Sequence, residues 1–315
     1  MAILSKKNNR PIPFDSVCSK EIASRSKEIG QSPKERSFAR KWLAFFVSLL
    51  IIIGAPMAAY LFFQKARPSL LFQRFEVKKT LQEAGTMKNS SSLQWWLSSG
   101  GVMLEGADMF STNLGSLAKN SFWQKLYAKT NARDTDGGFY PQNIFRLVNR
   151  TERKNLDQQV YFNIDKINLS SSGYRNESNG VFFFNRYQDQ NNLYYTGLRV
   201  DGRAVIKKKI NSEYYTMAEK PVFSGKYDRQ SDPDLIPLHQ WIGIRSEVEN
   251  LDNGSVMIRF FVDPYDNGNW QLALEARDDG NKYGGAPITS AGYGGLRSDF
   301  MDVIFKDYSF QELKS

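Results

Sequence analysis

Two successive β-hairpins, within residues 181–217, are predicted to carry the chain's best candidates for ligand chemistry. Asp201-Gly202 is typical of a two-residue type I′ turn, because both central positions of that turn require positive φ angles. Asn211-Ser212 is a weaker turn signal of the same length. With two-residue loops at both places, side chains alternate between the two faces of a sheet. One face is then predicted to carry Tyr194, Thr196, Lys207, Lys209, Tyr214 and Thr216.

This face has the residue types of a polar ligand site. Tyrosine rings offer apolar surface to the C–H groups of a sugar and a hydroxyl for hydrogen bonding, while lysines suit an anionic or hydroxyl-rich ligand. The alternative is that the lysines keep an exposed sheet soluble and block edge pairing. The predicted ligand-binding residues are Tyr194, Lys207, Lys209 and Tyr214, with Arg186 and Gln142 added from neighbouring segments.

The opposite face is predicted to be core, but one residue does not fit it. Lys208 falls among the apolar residues, so either it lies at a sheet margin or the register differs from the predicted one. The remaining residues of this face are Leu193, Tyr195, Gly197, Ile206, Ile210, Tyr215 and Met217.

The supply of metal ligands is small. Cys18 is the only cysteine and His239 the only histidine, so an intrachain disulfide and a multi-histidine zinc site are excluded. Asp134-Thr135-Asp136-Gly137-Gly138 resembles part of a calcium loop, although Asp-Gly-Gly is also ordinary turn chemistry. No cofactor is expected, and a structural calcium ion is the alternative left open.

The net charge of +9 is unevenly distributed. Residues 1–41 carry a net charge of +6, residues 42–63 carry no charged side chain, and residues 64–315 carry +3. Because the large C-terminal region is nearly balanced, bulk electrostatics does not direct it towards nucleic acid.

Residues 42–63 are predicted to form a transmembrane helix. At about 1.5 Å per residue these residues span roughly 33 Å, which is enough to cross a hydrocarbon core. The segment lies too far from the start for a cleaved signal peptide. Arg36, Arg40 and Lys41 precede it directly, so the flexible basic tail 1–41 is expected in the cytoplasm and the C-terminal domain outside the cell membrane.

Residues 64–91 are predicted to be a juxtamembrane stalk, with a short amphipathic helix over 68–86. Residues 92–315 then show many short strand-like runs, no βαβ alternation and no repeat, which predicts an all-β, antiparallel two-sheet sandwich. The Gly-rich run 292–295 is interpreted as a tight loop. The predicted strands are 94–97, 122–129, 143–148, 158–164, 180–187, 193–200, 203–210, 213–217, 241–248, 255–262, 270–276 and 302–310.

The order of these runs resembles a known superfamily over residues 93–311. The series GVFFFNRYQDQNNLYYTGLRVDGRAVIKKK, WIGIRSEVEN, IRFFVD and GYGGLRSDFMDVIFKDYSF is similar to the concanavalin A-like lectin/glucanase jelly roll. It is closest to an uncharacterised bacterial branch whose domains often sit behind one membrane anchor. The resemblance implies a jelly roll with carbohydrate bound on the concave face of one sheet.

The resemblance brings no complete catalytic signature with it. Glu247, Glu249 and Asp252 depart from the E-x-D-x-x-E strand of laminarinase-type members, and solvated hairpin charges are the alternative. The run 150–153, Arg-Thr-Glu-Arg, echoes one strand of alginate-lyase-like members, but the histidine strand is absent.

The function expected from the sequence is therefore a membrane-anchored, extracytoplasmic carbohydrate-binding domain without catalysis, whose partner is a carbohydrate or a cell-envelope glycan. Two alternatives remain open. One is a glycoside hydrolase or polysaccharide lyase with a divergent site. The other is a structural or protein-interaction module of the cell envelope.

Overall fold

A computed structural model describes residues 75–313 of the chain. These residues form strands and little helix. The strands are β1 (Lys79–Gln82), β2 (Trp95–Ser99), β3 (Val102–Glu105), β4 (Met109–Thr112), β5 (Ile144–Arg153), β6 (Leu156–Ile167), β7 (Gly180–Asp189), β8 (Asn192–Arg199), β9 (Arg203–Ile210), β10 (Glu213–Pro221), β11 (Ile242–Asn250), β12 (Val256–Asp263), β13 (Gln271–Asp278), β14 (Gly292–Asp299) and β15 (Met301–Glu312). The helix α1 is Phe122–Thr130, and Met87–Asn89 and Pro141–Asn143 are single 3₁₀ turns.

The strands form two antiparallel sheets, which confirms the predicted all-β sandwich. The eight-stranded sheet has the order β1-β3-β4-β15-β6-β11-β12-β13. The seven-stranded sheet has the order β10-β9-β8-β7-β14-β5-β2. Strands that are distant in sequence, such as β7 and β14, are therefore direct neighbours in the seven-stranded sheet.

The seven-stranded sheet buries side chains on both of its faces. One face packs with the eight-stranded sheet in the main core, where Phe145, Phe183, Phe162 and Phe305 are fully buried. The other face carries a separate hydrophobic cluster with Trp96, Tyr187 and Tyr293 packed against it. The buried members of that cluster are Val148, Phe182, Phe184, Leu193, Tyr195 and Val205.

The first predicted hairpin forms, but its register is shifted by one residue. Leu198 pairs with Ala204 and Tyr195 with Lys207, because the loop has three residues, Val200 to Gly202. Of the two central residues of the predicted turn, only Gly202 has a positive φ, of 77°. A three-residue loop ending in a left-handed glycine is the common alternative to the two-residue type I′ turn. Tyr194 therefore faces the core and Tyr195 the opposite surface, the reverse of the prediction.

The second hairpin has the predicted register. Asn211 and Ser212 have φ angles of 51° and 74°, as a type I′ turn requires. Lys209 pairs with Tyr214 and Lys207 with Thr216, so these side chains share one face. Lys208 is fully buried on the core face, as the alternation of β9 predicted. It does not lie at a sheet margin.

Four segments differ from the predicted secondary structure. Lys79–Gln82 is a strand of the eight-stranded sheet, so a helix does not continue through the predicted stalk and the sandwich begins before residue 92. Phe122–Thr130 is a helix, whose N-cap Ser121 accepts a hydrogen bond from the Gln124 backbone. Strands β3 and β4 were not predicted.

The Gly-rich run 292–295 was also predicted wrongly, as a loop. It opens β14, which lies between β5 and β7. A Cβ atom on Gly295 would lie 2.3 Å from the Leu147 carbonyl oxygen, so this glycine permits close strand approach.

The predicted tail 1–41 and transmembrane helix 42–63 lie outside the residues that the structure describes, as does the first part of the stalk. Between residues 75 and 313, no helix is long and apolar enough to cross a membrane. The membrane segment and the orientation of the chain remain predictions.

Candidate functional site

A groove lies on the face of the seven-stranded sheet that carries the second hydrophobic cluster. It consists of two adjoining cavities with volumes of about 440 Å³ and 430 Å³. Ile144, Arg146, Tyr195 and Tyr214 line both cavities, which therefore form one continuous groove. The groove is far larger than a small cavity of about 10 Å³ beside Pro233.

Aromatic rings form the floor of the groove. Tyr195 packs edge-on against Phe184, with ring centroids 5.6 Å apart, and against Phe182 at 6.5 Å. Tyr214 lies over Tyr195 with a centroid distance of 5.9 Å, and half of its surface is exposed. Trp96 lines the second cavity. Such a surface can pack against the apolar face of a ring-shaped ligand.

Arg297 lines the first cavity and forms an ion pair with Asp299. Its guanidinium lies 5.5 Å from the ring centroids of both Phe182 and Tyr195. Its Nε donates to the two carboxylate oxygens of Asp299 at 3.0 and 2.9 Å. Burial lowers the pKa of Arg297, but the charge and hydrogen bonds of Asp299 together with Tyr195 and Tyr214 outweigh burial and raise the pKa above the usual arginine value. The Arg297–Asp299 pair is thus a stable element of the groove.

Arg146 lies where the two cavities meet and has no such partner. Its Nη1 donates to the Ile144 carbonyl oxygen at 2.9 Å and to Ser99 Oγ at 3.4 Å. Among residues 75–313, no carboxylate forms an ion pair with it. Burial lowers the pKa of Arg146, and the neighbouring positive charge of Arg297 lowers it further. Arg146 is therefore a partly exposed cation without an ion-pair partner among residues 75–313.

Lys207 and Lys209 add positive charge to different parts of the groove. Lys207 lines the first cavity, and Lys209 lines the second. Lys209 Nζ donates to the Gln190 carbonyl oxygen at 2.8 Å and lies 4.9 Å from the Tyr214 ring centroid. Burial raises the pKa of Tyr214, but the charges of Arg297 and Lys209 outweigh burial and lower it overall.

The structure thus brings together three of the six predicted ligand-binding residues, Lys207, Lys209 and Tyr214. Tyr194 is fully buried, and its hydroxyl donates to Asp278 Oδ2 at 2.6 Å and accepts from the Ile288 backbone at 2.9 Å. The one-residue shift of the first hairpin explains why Tyr194 is not in the groove.

Arg186 and Gln142 are also internal. Arg186 is fully buried and donates through Nη1 to Asn250 Oδ1 at 2.5 Å and to the Ile288 carbonyl oxygen at 2.7 Å. Gln142 is fully buried and donates through Nε2 to Asp302 Oδ1 at 2.8 Å. Neither lines the groove. Arg186 was added as the neighbour of Tyr187 at a strand end and Gln142 together with Asn143, and neither position in the sequence determines the direction of a side chain.

The two runs that partly resemble catalytic motifs, 247–252 and 150–153, lie outside the lining of the groove. Glu247 is on β11 of the eight-stranded sheet and pairs with Arg245, with Oε1 2.7 Å from Nη2. Glu249 pairs with Arg259 at 3.6 Å. The run 150–153 ends β5, where Arg150 donates to the Ser92 carbonyl oxygen. These residues serve ion pairs and hydrogen bonds of the sandwich.

The aspartates of the predicted calcium loop hydrogen-bond to serines. Asp134 Oδ1 accepts from Ser172 Oγ at 2.5 Å, and Asp136 Oδ1 accepts from Ser170 Oγ at 2.6 Å. In the part of the chain that the structure describes, no group of three or more His, Cys, Asp or Glu side chains could hold a metal ion. The calcium ion stays a prediction.

Sequence reasoning missed the two arginines and most of the aromatic floor. Arg146 stands between the buried residues Phe145 and Leu147, and Arg297 follows the buried Leu296. This alternation marks both arginines as facing away from the main core. Their proximity to Lys207 could not be predicted, because it depends on the order in which β5, β14 and β9 are placed in the sheet.

The solved structures found to be similar share little sequence with this chain. The carbohydrate-binding module CBM66 from Bacillus subtilis aligns with 70% of this chain and 98% of its own at 10% identity, with a TM-score of 0.40. A β-glucanase from Bacillus licheniformis aligns with 72% of this chain and 95% of its own at 11% identity, with a TM-score of 0.37. The GH43 protein BlXynB from Bacillus licheniformis aligns over 53% of this chain at 13% identity, with a TM-score of 0.34, and this chain covers only 29% of it.

These neighbours are jelly-roll sandwiches of the concanavalin A-like/glucanase type, as the sequence resemblance named. With TM-scores below 0.5, they carry no argument about the function of this chain. No protein-family model matches the chain, and no curated protein gives a significant match.

Proposed function

We propose that this chain is a carbohydrate-binding protein whose ligand lies in the groove of the seven-stranded sheet. The observation that carries the proposal is the half-exposed ring of Tyr214 above the aromatic floor of Tyr195, with Lys207 and Lys209 beside it. Aromatic rings suit the C–H faces of sugars, and nearby amines donate hydrogen bonds to their oxygens.

Binding without catalysis fits the carboxylates of the groove. Glycoside hydrolysis needs one carboxyl group as acid and another as nucleophile or base. The two aspartates that line the described groove are engaged: Arg297 holds both oxygens of Asp299, and Ser172 donates to Asp134. A binding role requires neither group to be free.

The proposal places the domain outside the cell, behind a single membrane-spanning helix at 42–63. It rests on the 22-residue run without charged side chains and on the excess of basic residues before it. The ligand is then a carbohydrate at the cell envelope.

A polysaccharide lyase is the second candidate, favoured by the lowered pKa of Tyr214. In such a reaction Tyr214, once its hydroxyl proton has been lost to solvent, takes the proton next to a sugar carboxylate. The electron pair of that C–H bond forms a C=C double bond, the bond to the leaving sugar oxygen breaks, and that oxygen takes up a proton from solvent water. Arg146 is placed to neutralise the carboxylate during proton removal.

The test uses the full chain in lipid nanodiscs with immobilised neutral and acidic polysaccharides. Binding is measured together with new reducing ends and the absorbance of unsaturated products on the same samples. Binding without product, lost in a Lys207→Ala/Tyr214→Ala variant and kept in the control Lys220→Ala, supports the proposal. Lys220 is an exposed lysine of β10 outside the lining of the groove.

The other outcomes separate the alternatives. Unsaturated products would favour the lyase, and new reducing ends without them would favour a hydrolase. Absence of both binding and product would overturn carbohydrate recognition and favour a protein-interaction role.

A further inference from the structure

We infer that the glycan bound in the groove is acidic and that Arg146 contacts its carboxylate or sulfate groups. This inference rests on the proposed carbohydrate-binding function and adds the chemical class of the ligand. It comes from the charges that line the groove, their partners and their spacing.

Positive charge predominates along the groove. Its described lining contains the four cations Arg146, Lys207, Lys209 and Arg297 and the two carboxylates Asp134 and Asp299. The lining of the second cavity includes Arg146 and Lys209 but neither Asp nor Glu. This local excess contrasts with the nearly balanced charge of residues 64–315.

The two carboxylates do not neutralise Arg146. Arg297 takes both oxygens of Asp299 through Nε, at 3.0 and 2.9 Å. Asp134 accepts a hydrogen bond from Ser172. Asp299 is a nearby negative charge but forms no ion pair with Arg146. The positive charge of Arg297 repels Arg146. Arg146, Lys207 and Lys209 are thus the groove cations without an ion-pair partner among residues 75–313, and of these three only Arg146 lines both cavities.

A neutral glycan would leave this imbalance in place. Covering Arg146 would remove water from its guanidinium without supplying a counter-charge, which opposes binding. A carboxylate or sulfate instead supplies the counter-charge, and a guanidinium can bind such a group through two parallel hydrogen bonds. The position of Arg146 between the two cavities makes that contact available to a ligand in either one.

The spacing of the lysines suits a polymer with repeated acidic groups. Lys207 and Lys209 lie two residues apart on the same face of β9, so their Cα atoms are separated by roughly 7 Å. Each lysine serves a different cavity. Positive charge is therefore spread along the groove on both sides of the central Arg146.

The experiment compares polymers that differ only in their acidic groups. The full chain in nanodiscs of zwitterionic lipid is tested against polygalacturonate and its methyl ester, and against dextran sulfate and dextran, in 0.15 M salt. We expect at least one acidic polymer to bind ten times more tightly than its neutral counterpart. The pair that shows the difference identifies carboxylate or sulfate as the preferred group.

Variants assign the effect to Arg146. Arg146→Gln is expected to weaken binding of the acidic polymer at least tenfold and so to remove its preference over the neutral polymer. Lys209→Gln, in the second cavity, is expected to weaken it at least threefold and serves if Arg146→Gln does not fold. The control Arg277→Gln removes the same charge from an exposed position on β13 and is expected to have no effect.

The outcomes separate the inference from the function on which it rests. Equal or tighter binding of the neutral polymers would overturn the acidic ligand while leaving carbohydrate recognition intact. An equal loss in Arg277→Gln and Arg146→Gln would show that the attraction is general and overturn the role of Arg146. Binding to none of the four polymers counts against both proposals.

Discussion

Lys208 Nζ lies 2.8 Å from Asp278 Oδ2, and both side chains are completely buried. The pair joins β9 of one sheet to the end of β13 of the other. Lys208 also donates to the carbonyl oxygens of Gly285 and Ala286, each at 2.8 Å. Because Lys208 stands between Lys207 and Lys209, this contact anchors the strand that presents both lysines to the groove.

Breaking this ion pair is expected to be costly. Lys208→Met leaves a buried carboxylate without its counter-ion, which should lower the free energy of unfolding by about 3–5 kcal/mol. Asp278→Leu should have a similar cost, since it leaves the ammonium unpaired. The free energy of unfolding of the double variant should fall by much less than the sum of the two single losses, because no unpaired charge is then left buried. Urea denaturation at pH 7 measures all three, with the exposed Lys220→Met as the control. Additive losses would contradict a direct interaction.

The same hydroxyl deletion should have different effects on two tyrosines that were predicted on one face. Tyr194→Phe removes a buried hydroxyl that bonds to Asp278 and Ile288, so it should lower the free energy of unfolding by about 1–3 kcal/mol and leave glycan affinity unchanged. Tyr214→Phe should change stability by less than about 0.5 kcal/mol, as for a surface substitution, and weaken glycan binding severalfold. Denaturation and binding measured on both variants test this. A weaker affinity in Tyr194→Phe alone would restore the predicted register.

Asp234 should make stability depend on pH. Burial and, to a smaller extent, the charge of Asp232 raise the pKa of Asp234 to about 8, although a hydrogen bond from the Ile236 backbone lowers it. Within residues 75–313, Oδ2 has no hydrogen-bond partner. Because this pKa lies above the unfolded value of about 3.9, the stabilising effect is complete below pH 4 and is lost as pH rises to about 8.

The measurement compares the chain with its Asp234→Asn variant by denaturation at several values between pH 4 and 8. The free energy of unfolding of the unmodified chain should fall relative to the variant as pH rises, by at most about 1.4 kcal/mol per pH unit. Asp252→Asn makes the same change at an exposed position that does not act on Asp234 and should follow the unmodified chain. Parallel curves for the chain and Asp234→Asn would show that Asp234 is charged throughout.

The sandwich and much of its local pattern could be predicted from the sequence alone. Strand β9 was predicted with its observed bounds, and the turn at Asn211-Ser212 with its observed register. Alternation also placed Lys208 correctly on the core side. These features depend on local turn preferences and on the two-residue period of a strand, which are encoded in neighbouring residues.

The set of residues that line the groove depends on the tertiary structure and could not be predicted from the sequence. At Asp201-Gly202, two loop lengths compete for one turn signal, and the one that forms turns Tyr195 to the groove and Tyr194 to Asp278. Arg146 and Arg297 join Lys207 because β14 lies beside β7 and β5 lies beside β14, although both strands are far from β9 in sequence. Such pairings depend on long-range packing of whole strands, whereas the sequence pattern specifies only which face each side chain takes.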